Sequence, residues 1–354
     1  MAKKQQQQHQ RRVRGRLVGL LALAALAVLA WYAWNWASDN RMANFRREAV
    51  IYVYPETSVD EVYAALINEA GVKRPYSLDR AFKDKQVETY LQPGRYEIKP
   101  EYTSVYVARM LNNCWQSPAK LVLSGTMRKN AQLAAKISSQ LMIDSLDVIK
   151  ALENKDLLSN YGFTPRDVFS LFIPDTYEMY WTATMKDVLD KQKEAYDAFW
   201  TQERLAKAKK QGLTPKQVSI VASIVKGETN YEPEMPKIAG VYLNRLRKGM
   251  KLQADPTIAY MLDYEVNRIL NRHLSLASPY NTYLHEGLPP GPICVPTKAC
   301  LDAVLNPEGD YLYFCANANF DGTHRFAVSY SEHLRNAREF QRALNARSTS
   351  SPAK

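Results

Sequence analysis

The sequence predicts an α+β protein carried on one N-terminal apolar helix, and three observations lead to that reading. Leu17 to Ala37 is a run of 21 residues without a charge, strand-like and helix-like segments alternate at short intervals from Val50 to Ser124, and helical periodicity dominates the middle of the chain. With 354 residues, 46% of them apolar, the chain can form two or three domains, and its 22 tyrosines exclude a disordered polymer. The net charge of +11 is concentrated at the start, where Lys3, Lys4, Arg11, Arg12, Arg14 and Arg16 stand without an acid and leave +5 for everything else. So modest a surplus does not predict nucleic-acid binding.

The apolar run has the length of one bilayer crossing, roughly 20 residues. Trp31, Tyr32, Trp34 and Trp36 cluster at its far end, where amphipathic rings prefer the headgroup level, and the preceding arginines keep the N-terminus cytoplasmic. Residues 1–16 are then a cytoplasmic basic tail and 17–37 a single-pass transmembrane helix of the cytoplasmic (inner) membrane. The rest of the chain lies outside, in the periplasm. A cleaved signal peptide is the competing reading, because Ala25-Leu26-Ala27 is a small-x-small triplet, although it falls inside the apolar run and not after it.

Residues 38–48 read as a polar linker. Val50 to Tyr54 has strand composition, and Ser58-Val59-Asp60-Glu61 is a capping box that opens a helix. Ser77 to Phe82 predicts a second helix, Arg95 to Lys99 a strand after the Pro93-Gly94 turn, and Val105 to Leu111 a third helix. These make a small α+β domain over 49–118. Lys120 to Ser124 is the first strand of a larger α+β domain over 119–345, which continues with helices at Arg128 to Leu141, Leu146 to Leu152 and Met185 to about Lys210. Gln5 to Gln8 and the tail 346–354 have the composition of disordered segments. Cys114, Cys294, Cys300 and Cys315 form no CxxC pair, and the five histidines show no HExxH spacing, so neither a disulfide framework nor a metal site is predicted.

The best-marked helix begins at Thr214, where Thr214 and Gln217 form a capping box, Pro215 takes the first helical position and Leu213 staples onto Val218. Val218, Val221, Ala222, Ile224 and Val225 make one wide apolar face, and Glu228 lies on it at the helix C-terminus. A carboxylate so placed loses water to apolar neighbours and faces the negative end of the helix dipole. Both effects favour the protonated form, as a general acid requires. Lifting a glutamate from about 4.3 to about 6 separates its protonation states by roughly 2.3 kcal/mol. The alternative is an ordinary frayed helix end with Glu228 in solvent.

The residues around that helix resemble the YceG-like family of endolytic murein transglycosylases. Ala222-Ser223-Ile224-Val225-Lys226-Gly227-Glu228-Thr229 is similar to the family's catalytic motif, with Glu228 at the position of the catalytic glutamate and Lys226 where the common form has a glutamate. Asn244-Arg245-Leu246 with Gly249-Met250-Lys251-Leu252-Gln253-Ala254-Asp255-Pro256-Thr257 resembles a second block. Tyr280-Asn281-Thr282-Tyr283 with Gly287 to Ile293, Phe172 to Tyr177, and Tyr311 to Phe314 with His324-Arg325-Phe326 resemble three more. The resemblance runs over about residues 90 to 343. It implies a LysM-like small domain, a YceG-like catalytic domain, no cofactor, and cleavage of peptidoglycan glycan strands between N-acetylmuramic acid and N-acetylglucosamine with 1,6-anhydro ends. It also implies a role as terminase of nascent strands, beside penicillin-binding protein synthases.

An ordinary glycosidase needs two carboxylates. In a lytic transglycosylase one glutamate suffices, because the muramyl C6 hydroxyl attacks intramolecularly and so enjoys a large effective molarity. Gln253 and Asp255 are candidates to bind sugar or orient Glu228, with Asp255 alternatively capping the helix that starts at Pro256. Arg245, with Asn244 beside it on the same helix, is placed to meet either a substrate carboxylate or a structural acid. Tyr280, Asn281 and Tyr283 are candidates for a sugar cleft or for loop anchors. Asp175 reads as a turn residue. Two other classes compete with the transglycosylase: a membrane-anchored hydrolase pairing Glu228 with Asp175 or Asp255, and a catalytically silent wall-binding scaffold.

Overall fold

The computed structural model describes residues 1–266 and 268–349. It is mixed helix and strand, as the sequence predicts, and divides into two compact units: residues 1–119 with 179–182, and residues 120–178 with 183 onward.

In the first unit, α1 (Ala2–Asn40) is one continuous helix whose stretch Arg14–Asn40 is long and apolar enough to cross a membrane. Gln5 to Gln8 lie inside this helix where disorder is expected, since glutamine is a good helix former and propagation from an apolar helix costs little. Then follow β1 (Ala49–Val53), α2 (Val59–Ala65), α3 (Pro75–Asp84), α4 (Val87–Tyr90), β2 (Gly94–Ile98) and α5 (Ser104–Asn112). The Ser58–Glu61 capping box forms as expected at the start of α2. β1 and β2 are antiparallel, with Ile51 opposite Tyr96 and Val53 opposite Gly94, and they turn Ile51, Val53, Tyr96 and Ile98 into a core with Phe45, Leu66, Leu78 and Leu111.

The stretch expected to be a linker is instead built into this unit. Asn44 and Phe45 are fully buried, Asn44 donates to the Ser104 hydroxyl at 2.8 Å and accepts from the Arg74 backbone at 2.8 Å, and Ser38 accepts from the Arg74 guanidinium at 3.1 Å. Asp39 takes a forked bond from Arg80, at 3.0 and 2.7 Å. The polar residues that suggest a linker are the partners needed where an apolar helix enters a packed domain.

The second unit contains the ribbon of β3 (Ala119–Val122) and β4 (Thr176–Met179), the helices α6 (Asn130–Ser138), α7 (Ser145–Glu153) and α8 (Lys155–Ser159), then α9 (Met185–Phe199) and α10 (Gln202–Lys210). The single helix expected from Met185 to Lys210 is two, because Thr201 caps a new helix by accepting from the Arg204 backbone and Trp200 leaves helical geometry. Next come α11 (Pro215–Glu228), α12 (Met235–Arg247), α13 (Asp255–Met261) and α14 (Lys298–Leu305), followed by the hairpin β5 (Tyr313–Ala316) and β6 (His324–Ala327) and by α15 (Tyr330–Thr349). Residues 346–349 of the expected disordered tail are helical, and 350–354 lie outside the described residues. α11 is the hub: Val218, Val221, Ala222, Ile224 and Val225 are fully buried among Ile238, Tyr242, Leu252, Leu301 and Val304.

The Asp39–Arg80 fork gives a first test. Asp39→Ala is expected to lower the stability of the first unit by about 2 kcal/mol, the worth of charge-assisted bonds to a mostly buried carboxylate. Lys83→Ala, which removes an exposed pair with Asp79, is expected to change it by less than about 0.5 kcal/mol. Urea unfolding of the full chain, followed at the first unit, compares the two.

Candidate active site

Glu228 is the last residue of α11, and its position follows from how that helix is held. The Thr214–Gln217 capping box and Pro215 set the start, and Ser223 pins the far half by donating to the Ile220 carbonyl at 2.7 Å and accepting from the Ile293 backbone at 3.0 Å. Gly227 permits a close approach there. A Cβ there would stand 2.5 Å from the Pro256 Cβ, so only glycine lets the start of α13 lie against the end of α11.

Glu228 does not fray into solvent. Its Oε1 accepts from the Tyr242 hydroxyl at 2.5 Å, and Tyr242, on α12, is 1% exposed. The residue is only partly exposed, and its carboxyl is poorly solvated. Burial pushes its pKa up to about 7 and the charge of Asp255 adds to the rise, against the Tyr242 bond and the Arg245 charge, which favour the carboxylate. Burial is the main cause of the rise, and the Asp255 charge is a smaller contribution that the sequence reading did not include. Lys226, the departure from the family motif, turns away and donates to Asn230 Oδ1 at 2.5 Å.

Asp255 does not cap α13, whose N-cap is Ala254 without a side-chain bond. It accepts instead from the Tyr283 hydroxyl at 2.6 Å. Gln253 has a positive φ of 52°, donates its backbone N–H to the Thr282 carbonyl at 3.1 Å, and leaves its side chain exposed, within 3.4 Å of Arg245. Thr282 also accepts from the Ala254 N–H at 2.9 Å, which locks the loop of Tyr283 to the start of α13. Arg245 is 8% exposed and donates to the Leu312 and Leu252 carbonyls at 2.7 Å each, with its guanidinium over the Tyr313 ring. Among the described residues it pairs with no carboxylate.

Of the sequence candidates, Glu228, Arg245, Gln253, Asp255 and Tyr283 therefore gather at the end of α11. Asn244 and Asn281 are clamps: Asn244 donates to the Gly309 and Tyr311 carbonyls at 3.0 Å each, and the fully buried Asn281 donates to the Leu274 and Leu276 carbonyls at 3.0 and 2.7 Å. Tyr280 rests on Tyr260, ring centroids 4.7 Å apart. Asp175 lies in its expected turn, paired with Lys298 and accepting from the Thr176 N–H. Tyr242 escaped the sequence reading. The available signal was a tyrosine on the buried face of α12, whose hydroxyl must find a partner. Among the described residues no group of three His, Cys, Asp or Glu side chains could hold a metal ion.

The sequence profile of the YceG-like family matches residues 51–339, which include every residue of this site. An endolytic murein transglycosylase of Bacillus subtilis is 31% identical over 221 residues, covering 57% of this chain and 60% of that protein. One of Streptococcus pneumoniae serotype 2 is 30% identical over 177 residues, covering 47% of this chain and 31% of that protein. The alignments thus span less than two thirds of either relative. The crystal structure of a yceG-like protein from Listeria monocytogenes superposes with a TM-score of 0.54 at 25% identity, over 82% of this chain and 98% of that one.

Because folding lifts the Glu228 pKa from about 4.5 to about 7, the ionised carboxyl costs stability above pH 7, and the cost fades as pH falls toward 4.5. Glu228→Gln is expected to be more stable than wild type by roughly 3 kcal/mol at pH 8 and equal to it at pH 4, read from unfolding midpoints. Gly227→Ala is expected to lose about 1–3 kcal/mol through overpacking against Pro256. A stability equal to wild type in the same unfolding assay would sink that contact's role.

Proposed function

The chain belongs to the YceG-like family, and from that premise we propose that it is an endolytic peptidoglycan lytic transglycosylase anchored by α1, with Glu228 as its one acid–base group. The observation that carries the proposal is a glutamate near half-protonation at neutral pH, poorly solvated and fixed by a buried tyrosine. Protonated Glu228 gives its proton to the glycosidic oxygen as the bond to muramyl C1 breaks. The resulting carboxylate takes the proton from the C6 hydroxyl, whose oxygen bonds to C1 and closes the 1,6-anhydro ring. The acid is regenerated and no water is consumed. Tyr242 orients the carboxyl, burial with the charge of Asp255 keeps it proton-loving, and Tyr283 with Gln253 offers hydrogen bonds to sugar hydroxyls.

The proposed setting follows from the same reading. The N-terminus is cytoplasmic, the chain beyond α1 is periplasmic, and residues 49–118, where β1 and β2 enclose α2, α3 and α4 in chain order, form a LysM-like wall-binding module. Association with penicillin-binding synthases is tested by co-purification from membranes. One observation favours a second reading, hydrolysis: Asp255 lies close enough for its charge to act on Glu228, as a base activating water would. Asp175, paired with Lys298, is not a candidate for that role.

Mass spectrometry of products from uncut glycan strands decides between them. Anhydro-muramyl ends from wild type and none from Glu228→Gln are expected. Ends heavier by one water would select the hydrolase, and unchanged strands with both proteins the silent scaffold. The rate is also expected to fall as pH rises through about 7, when the acid loses its proton. Tyr242→Phe, which removes a bond to the carboxylate, should move that fall to higher pH.

A further inference from the structure

The second unit holds a cleft of about 780 Å³ that the reaction at Glu228 does not use. Arg128, Lys129 and Arg166 line it together with Glu153, Asp263 and Tyr260. The cations differ in their engagement. Lys129 pairs with Asp263 at 3.2 Å, Arg128 lies over the Tyr264 ring at 4.6 Å, and Arg166 is exposed, with no carboxylate within salt-bridge distance among the described residues. Two guanidinium groups thus face the cleft without a carboxylate of their own, a planar donor arrangement suited to carboxylates.

The cleft is joined structurally to the active site. α13 carries Asp255 at one end and Tyr260 and Met261 at the other, about 9 Å apart at 1.5 Å per residue. Tyr260 lines the cleft and also holds Tyr280, in the loop that supplies Tyr283 to Asp255. The wall at Arg166 is fixed to that neighbourhood as well. A Cβ on Gly291 would stand 1.9 Å from the Arg166 carbonyl oxygen, so the chain at Gly291 lies directly on the backbone of Arg166. A polymer with its scissile bond at Glu228 therefore has a second, rigidly spaced place to bind.

We propose that this cleft takes the peptide stem borne by the glycan, with Arg128 and Arg166 receiving its free carboxylates and Glu153 or Asp263 its ammonium group. The mixed signs of the lining match a short peptide carrying both charges, whereas a neutral sugar would have no use for two unpaired guanidinium groups. The inference rests on peptidoglycan as substrate, and the stem is the part of that polymer with ionised groups to recognise.

The test uses the full chain in detergent. Binding of a free stem tetrapeptide to the Glu228→Gln protein is measured by calorimetry, and addition of Arg128→Ala with Arg166→Ala is expected to weaken it at least tenfold, the worth of one charge-assisted hydrogen bond. With Glu228 intact, the same pair of substitutions is expected to lower kcat/KM about tenfold on stem-bearing strands and to leave strands stripped of their stems within twofold of wild type. Equal losses on both polymers, or no loss on either, would overturn the inference, as would peptide binding that ignores both arginines. If wild type cleaves neither polymer, the proposed activity fails, and the calorimetric arm still judges the cleft by itself.

Discussion

The enclosure of one carboxyl at the end of a buried helix is the constraint on which the site depends. α11 has apolar residues facing α12, α13 and α14, so its terminus is held from several sides at once. A terminal glutamate ordinarily escapes into water. Here escape is blocked by the Tyr242 hydroxyl on one side and by the Gly227–Pro256 contact on the other. Both devices come from elements far apart in sequence, and the packing of α11 makes them neighbours.

Four influences act on Glu228, and their balance sets what it can do. Burial and Asp255 favour the protonated form, while Tyr242 and Arg245 favour the carboxylate. The second pair holds the group's proton affinity down, and an acid that cannot release and retake a proton is of no use as a base. Arg245 makes no ion pair among the described residues, and its Nε and Nη1 are committed to the Leu312 and Leu252 carbonyls. It acts through its field, which explains why a buried cation nearby does not abolish the raised pKa.

Legibility in the sequence followed the range of the physics. Local signals held: the Thr214 and Ser58 capping boxes, the apolar face of α11, and Glu228 at its end were all visible, because caps and periodicity depend on residues a few positions apart. Long-range partners were not. Nothing near Tyr242 announces that its hydroxyl ends on a carboxylate, and nothing near Asp255 shows that Tyr283 occupies one of its oxygens. Residues 38–48 misled for a related reason, since Ser38, Asp39 and Asn44 have linker composition and become buried only through Arg74, Arg80 and Ser104. The Trp200–Thr201 break was missed because apolar spacing continues across it while the cap does not.

The state of Asp255 bears on how much chemistry the site asks of a second carboxylate. A base that activates water needs a free lone pair and a basic oxygen. Asp255 is exposed, and its Oδ1 already accepts a hydrogen bond from Tyr283, so a lone pair of that oxygen is occupied. Its charge nevertheless reaches Glu228 and raises that group's proton affinity. An aspartate arranged this way is better suited to tuning a neighbouring acid than to proton transfer of its own. In the proposed reaction one carboxyl would do both halves of the proton transfer, so the nucleophile would have to bring its own proximity, which an internal hydroxyl of the substrate has and a water molecule does not.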